Sequence, residues 1–172
     1  NNYPPLFFVV LAPLGSLIGD HVIAGRLLSV ASFVYVLLAT FSIARLLGAS
    51  RSAALVAPAF VLAFNAVHGD KHLGVNDPQW LGHALSTAAL LAFLRDHESF
   101  LRKLLIVLLA VAALSVKLMY VAIPLTIAAF VARYEPRSLP AWILAGVGVA
   151  VAATTGWLIM FGPEMLRSMA AL

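Results

Sequence analysis

The sequence contains no cysteine, which excludes disulfide bonds, cysteine-ligated zinc and thiol catalysis. Charged residues are also scarce. They make up 10% of the 172 residues, whereas a typical soluble domain has about 25%. Hydrophobic residues make up 63%, more than a soluble fold can cover with polar side chains. This composition excludes a water-soluble enzyme, a disordered tail and a nucleic-acid-binding module, and it predicts a polytopic membrane protein.

Several functional motifs are absent as well. There is no glycine-rich nucleotide loop, no Gly-x-Ser-x-Gly and no His-Glu-x-x-His. The N-terminus has no basic residue ahead of its apolar run, so it is not a signal peptide. The start at Asn1-Asn2 without methionine, and a new amphipathic stretch at 163–167, indicate an internal piece of a longer chain.

Charges and helix breakers divide the chain into apolar segments whose lengths suit membrane helices. A spanning helix needs about 20 residues. The segments are 5–18, 22–47, 52–67, 79–94, 104–132 and 138–163. Segment 104–132 contains Lys117 and Pro124 and is predicted to be a broken hairpin buried in protein. Segment 5–18 is short, so it either lies at the interface or forms a short span. The predicted fold is all-α, a polytopic transmembrane helical bundle.

The basic residues predict the orientation of these segments, because cytoplasmic loops are enriched in lysine and arginine. Seven of the eleven basic residues flank three turns. They are Arg45, Arg51, Arg95, Arg102, Lys103, Arg133 and Arg137. Placing all three turns in the cytoplasm puts Tyr3, Arg26, the loop 68–78 and Lys117 on the external face.

The loop 68–78 is the richest polar stretch in the chain. Asp77 before Pro78 fits a helix start, with Asp77 as the cap. The alternative role for Asp77 is at the rim of a membrane-embedded site, where it would polarise a substrate hydroxyl or a divalent metal. His68 and His72 have the spacing of metal ligands on a helix, but Gly69 and Gly74 argue against a helix there. We therefore expect no metal ligand set, and no other cofactor is indicated.

Two basic residues stand inside or beside apolar segments, where a charge is costly and usually faces a polar cavity or a partner. Lys117 has apolar residues on both sides, which favours a cavity. Arg26 lies near the start of its segment, so it either faces a cavity or extends to the interface. Together they suit a lipid phosphate or pyrophosphate. His83 shares a helical stripe with Gln79, Ser86 and Thr87 and is expected to form hydrogen bonds between helices.

An ordered series of short motifs resembles the membrane glycosyltransferases of the GT-C class, in particular protein O-mannosyltransferases and enzymes that add sugars to lipid A. The motifs are Tyr3-Pro4-Pro5-Leu6, Ala24-Gly25-Arg26-Leu27-Leu28-Ser29, the arginine-containing turn 44–55, Asn76-Asp77-Pro78 and Ser115-Val116-Lys117. The resemblance covers roughly residues 3–133. It departs from the family at Tyr3, where His or Lys is often found.

The resemblance implies transfer of a hexosyl- or pentosyl-type sugar from a polyprenyl- or dolichyl-phosphate donor, by direct displacement at the anomeric carbon. Arg26 and Lys117 would hold the donor phosphate. Asp77 would play a supporting catalytic role, and Tyr3, His72 and Asn76 would line the rim of the site. The family's general base lies ahead of Tyr3, so the fragment is expected to be inactive alone.

The implied partners are the lipid-linked sugar, membrane lipids and a protein or glycolipid acceptor, with no nucleic acid. The implied location is a bacterial inner membrane, with several passes. The competing hypothesis is a non-enzymatic polytopic protein, either a transporter or a structural subunit, because broken helices and buried polar groups occur there too. No internal repeat is visible between the halves of the sequence.

Overall fold

The computed structural model describes residues 5–68 and 74–162, and within these ranges the chain forms helices and turns with no β-strand. The helices are α1 (Leu6–Ile18), α2 (His21–Leu46), α3 (Arg51–Ala54), α4 (Val56–His68), α5 (Gln79–Arg95), α6 (Phe100–Leu114), α7 (Ala122–Tyr134) and α8 (Leu139–Phe161). The predicted all-α class is confirmed for the described residues.

Helices α2 and α8 are each long and apolar enough to cross a membrane. Most of their apolar side chains are not covered by the rest of the chain, for example Leu38 and Ile159, which are 63% and 80% exposed. Water is a poor solvent for such surfaces and a lipid bilayer is a good one. The two helices therefore support association with a membrane.

Two apolar segments each contain two helices: 52–67, which was expected to be continuous, and 104–132, which was expected to be a broken hairpin. The segment 52–67 contains α3 and α4, with a break at Leu55. This break places Pro58 in the first turn of α4, where its missing N–H is not needed. The segment 104–132 contains α6 and α7, separated by turns at 115–121, and Pro124 likewise falls in the first turn of α7. Helix α6 begins at Phe100 rather than Leu104, because Ser99 Oγ accepts a hydrogen bond from Arg102 N at 3.3 Å.

Helix α5 lies at the centre of the packing. Its second half joins α6, α7 and α8 in one apolar cluster that includes Phe93, Ile106 and Val131. Its first half packs on α2, where the rings of Phe33 and Trp80 meet edge to face with centroids 4.5 Å apart. A third cluster joins α1 to α2. Every longer helix except α4 thus contributes to one of three buried clusters, and the side chain of Val61 on α4 packs against the second.

Contacts between turns define two ends of this helix assembly. At one end, Leu6 N donates to Ser115 O at 3.1 Å and Tyr120 Oη donates to Gln79 O at 2.7 Å. We call this the polar end, comprising residues 5–6, 74–79 and 115–121. At the other, His97 Nε2 lies 2.7 Å from Glu135 Oε1. We call this the basic end, comprising residues 95–103 and 133–138.

Candidate functional site

Asn76 and Asp77, two of the polar residues in the loop 68–78, lie just before the start of α5. Asp77 Oδ1 accepts a hydrogen bond from Gln79 N at 2.8 Å. Pro78 occupies the cap position itself, and its ring fixes the backbone angle that leads into the helix. The sequence predicts Asp77 at the cap position, but the helix begins one residue later, so Pro78 is the cap and Asp77 precedes it while still accepting the hydrogen bond from Gln79 N. One of its carboxylate oxygens is directed at the helix start, as suits the positive end of a helix dipole.

Asn76 lies against α2 at Gly25. A Cβ atom built on Gly25 would stand 2.0 Å from Asn76 Oδ1, so the side chain of Asn76 fills the space that a larger residue at position 25 would need. Arg26 is exposed, and its charge acts on the nearby carboxylate of Asp20. The glycine at position 25 thus allows the loop before α5 to approach the start of α2 closely.

Tyr120 connects the turn that carries Lys117 to α5. Its hydroxyl donates to Gln79 O, and its ring stands where a Cβ at Gly82 would be, 2.0 Å from Cε2. The ring also meets the edge of His83 with centroids 5.0 Å apart. Lys117 is half-buried, and its charge acts on His83. His83 is exposed, and its described contacts are with the rings of Trp80 and Tyr120, which replaces the expected interhelical hydrogen bond by ring packing.

Three of the predicted site residues belong to the polar end: Asn76 and Asp77 in the segment 74–79, and Lys117 in the segment 115–121, whose Tyr120 donates to Gln79 O. Arg26 follows Gly25, the residue of α2 against which Asn76 packs. Tyr3 and His72 lie outside the described residues. Within the described ranges, no group of three histidine, aspartate or glutamate side chains is arranged to hold a metal ion.

Asp20, at the start of α2, has a pKa below its ordinary value. Hydrogen bonds from Ile23 N and Val22 N to its carboxylate lower the pKa of Asp20, and the charges of His21 and Arg26 act in the same direction. The carboxylate caps α2, and the preceding residue Gly19 ends α1 with φ 82°. The turn between the two helices is thus built from a left-handed glycine and an ionised cap.

A second polar cluster at the basic end was not predicted. His97 Nδ1 lies 2.7 Å from Phe93 O, and His97 Nε2 lies 2.7 Å from Glu135 Oε1. Lys103 is buried, donates from Nζ to His97 O at 2.7 Å and to Glu98 O, and stands 5.7 Å from the centroid of the Trp142 ring. The cluster joins the α5–α6 turn to the α7–α8 turn.

The sequence contained one signal for this cluster. Lys103 falls inside the first apolar turns of α6, where a charge is costly unless it is paired or hydrogen-bonded. In the sequence, Lys103 counts only as one of the basic residues that predict which turns are cytoplasmic. Its partners are backbone carbonyls and an aromatic ring, which no spacing in the sequence marks in advance.

No protein-family model, curated protein or solved structure matches this chain. The likeness to GT-C glycosyltransferases is carried by the short motifs alone.

Proposed function

We propose that this chain is the membrane-embedded part of a glycosyltransferase that takes its sugar from a polyprenyl- or dolichyl-phosphate donor. The observation that carries the proposal is the gathering of the motif residues at one end of the helix assembly. Arg26, the neighbours Asn76 and Asp77, and Lys117 come from three distant parts of the sequence, and the contacts of Gly25 with Asn76 and of Tyr120 with Gln79 bring these segments together.

The chemistry proposed for the polar end is recognition of a lipid phosphate. Lys117 and Arg26 are the cations available there, and a phosphate attracts both most strongly in a site that is partly shielded from water. Lys117 is half-buried in the turn between the apolar helices α6 and α7, where a phosphate would stabilise its charge. Asp77 would orient a sugar or acceptor hydroxyl through its carboxylate. In this proposal the polar end faces the outside of a multi-pass protein in the bacterial inner membrane.

The test is binding of decaprenyl phosphate, with decaprenol as the probe that lacks the phosphate. We expect the chain in detergent micelles to bind decaprenyl phosphate more tightly than decaprenol. In Lys117→Met the affinity for the phosphate should fall about tenfold, the loss of one charge-assisted hydrogen bond. Lys117→Arg should be intermediate, because the charge stays while the shape changes.

Arg51→Gln is the matched control, because it removes one exposed cation at the start of α3, away from the segments of the polar end. It should bind decaprenyl phosphate as the unmodified chain does. Equal binding of the phosphate and the alcohol, or unchanged binding by Lys117→Met, would contradict the proposed donor site.

A non-enzymatic membrane subunit is the second candidate. It is favoured by the contacts of Asp77 and Tyr120, which are those of a helix cap and of helix packing. In that case Lys117→Met would lower the stability of the chain, and decaprenyl phosphate would bind no better than decaprenol.

A further inference from the structure

A cavity of about 250 Å³ lies between α6, α7 and α8 and extends from Leu139 and Trp142, near the basic end, to Leu114 and Pro124 on either side of the turn 115–121. Its walls are apolar and include Ala110 and Leu114 from α6, Ile127 and Val131 from α7, and Leu139 and Trp142 from α8. An apolar space of this kind attracts hydrocarbon. On α8 the first residue that lines the cavity is Leu139, directly after the basic-end residues 135–138.

Trp142 is the one aromatic residue among those that line the cavity. Its side chain is 8% exposed, and it lies one turn into α8, close to the basic-end loop. The cavity is therefore apolar along its length and carries a tryptophan ring near the basic end.

Cations surround that same end. Arg133 and Arg137 are exposed on either side of Glu135, and the carboxylate of Glu135 faces His97 rather than these arginines. Lys103 lies over the Trp142 ring. Counting residues 95–103 and 133–138, five basic residues face three acidic ones, so this end carries a surplus of positive charge.

We propose that the cavity binds one acyl chain of an anionic glycerophospholipid from the surrounding bilayer. The chain lies between α6, α7 and α8 beside the ring of Trp142, and the anionic headgroup lies beside Arg133 and Arg137. Charge complementarity selects an anionic lipid over an uncharged one. The proposal rests on the membrane location given under the proposed function and is independent of sugar transfer.

Fluorescence of Trp142 tests this directly, because bromine atoms on a lipid chain quench a nearby indole. Trp80→Phe and Trp157→Phe leave Trp142 as the sole tryptophan. This chain is placed in phosphatidylcholine vesicles that contain either dibrominated phosphatidylglycerol or dibrominated phosphatidylcholine at the same mole fraction. We expect the phosphatidylglycerol probe to quench Trp142 at a lower mole fraction. Replacing Arg137 by Gln should reduce this preference about fivefold, the effect of one cation near an anionic surface.

Two alanines on α7 provide matched variants for the position of the chain. Ala128 and Ala129 are both exposed, but Ala128 lines the cavity and Ala129 does not. Ala128→Leu should fill the space and reduce quenching by the phosphatidylglycerol probe, whereas Ala129→Leu should leave it unchanged.

Three outcomes would overturn the proposal. Equal quenching by the two brominated lipids shows ordinary contact with the bilayer, and equal quenching in Ala128→Leu and Ala129→Leu shows that the cavity is not the site. Failure of the chain to float with vesicles in a density gradient would overturn the membrane location itself, and with it the membrane part of the proposed function. The first two outcomes leave the proposed function untouched.

Discussion

Close approach at glycine is the residue-scale feature with the clearest consequence. The ring of Tyr120 occupies the space beside Gly82 on α5, whereas a Cβ at Gly146 on α8 meets nothing within 4 Å. Gly82→Ala should lower the free energy of unfolding by about 1–3 kcal/mol, because the ring must move and its bond to Gln79 O is strained or lost. Thermal unfolding in detergent micelles, followed by circular dichroism, measures the change.

Gly146→Ala is the control for this prediction. It should raise stability by about 0.5–1 kcal/mol, because alanine loses less backbone freedom than glycine in a helix. Equal stability of Gly82→Ala and Gly146→Ala would show that Tyr120 does not pack on Gly82.

Asp20 predicts a specific dependence of stability on pH. Its pKa is lowered in the folded chain by the backbone N–H groups of Ile23 and Val22. A lowered pKa means that the carboxylate stabilises the fold at pH values above the ordinary value, 3.8, and that this contribution disappears as the pH falls through the lower folded value. Asp20→Asn keeps a capping oxygen but does not titrate. The difference in Tm between the chain and Asp20→Asn should therefore shrink on acidification, and a difference independent of pH would contradict the capping role.

Residue-scale roles were predictable where they are local. Asp77 precedes a proline and a helix, so its hydrogen bond at the helix start is a matter of adjacent residues. The contact of Asn76 with Gly25 and that of Tyr120 with Gly82 join residues tens of positions apart. A small residue permits such a contact but does not say which side chain will fill the space.

At the scale of the helix, apolar length and breakers give the approximate positions, because both act within a few residues. Where the helices start at other residues than the sequence predicted, the causes are local too. Proline selected the starts of α4 and α7, and the Ser99 cap began α6 four residues early. The pairing of turns is not local, and the joining of the α5–α6 turn to the α7–α8 turn by His97 and Glu135 had no counterpart in the sequence pattern.

His97 and Glu135 predict a measurable coupling between these two turns. Nδ1 of His97 lies 2.7 Å from Phe93 O and Nε2 lies 2.7 Å from Glu135 Oε1, so the ring bridges the two turns. A double-mutant cycle with His97→Ala and Glu135→Ala should give a coupling of about 1–2 kcal/mol in thermal unfolding, as expected for a hydrogen bond to a carboxyl group between partly buried side chains.

The pair Asp96 and Arg102 is the control for that cycle. Its two charged groups are 3.6 Å apart and about half exposed, so its coupling should be below about 0.5 kcal/mol. A coupling at His97 and Glu135 no larger than this would show that the two turns are held together by apolar packing alone.

At the scale of the whole molecule, the helix directions follow from the order of contacts along α2 and α5. Gly25 meets Asn76, and further along both helices Phe33 meets Trp80. Contacts in this order are those of two helices that run in the same direction, so the turn after α2 lies toward the basic end, as does the turn after α5. The charge pattern predicted this grouping from the sequence, whereas the apolar cavity between α6, α7 and α8 depends on how three surfaces fit and was not predictable.

The grouping of basic residues leads to a prediction about orientation in the membrane. Loops rich in lysine and arginine remain on the cytoplasmic side, so the basic end should be cytoplasmic and the polar end external.

The chain has no cysteine, so single-cysteine variants report one position each. Glu98 in the α5–α6 turn and Met119 in the α6–α7 turn are both exposed and lie at opposite ends of α6. A maleimide that does not cross membranes should label Met119→Cys in intact cells and label Glu98→Cys only after permeabilisation. Unfolding is the control, since both cysteines should then react equally. Labelling of Glu98→Cys but not of Met119→Cys in intact cells would reverse the orientation and move the proposed phosphate site at Lys117 to the cytoplasmic face.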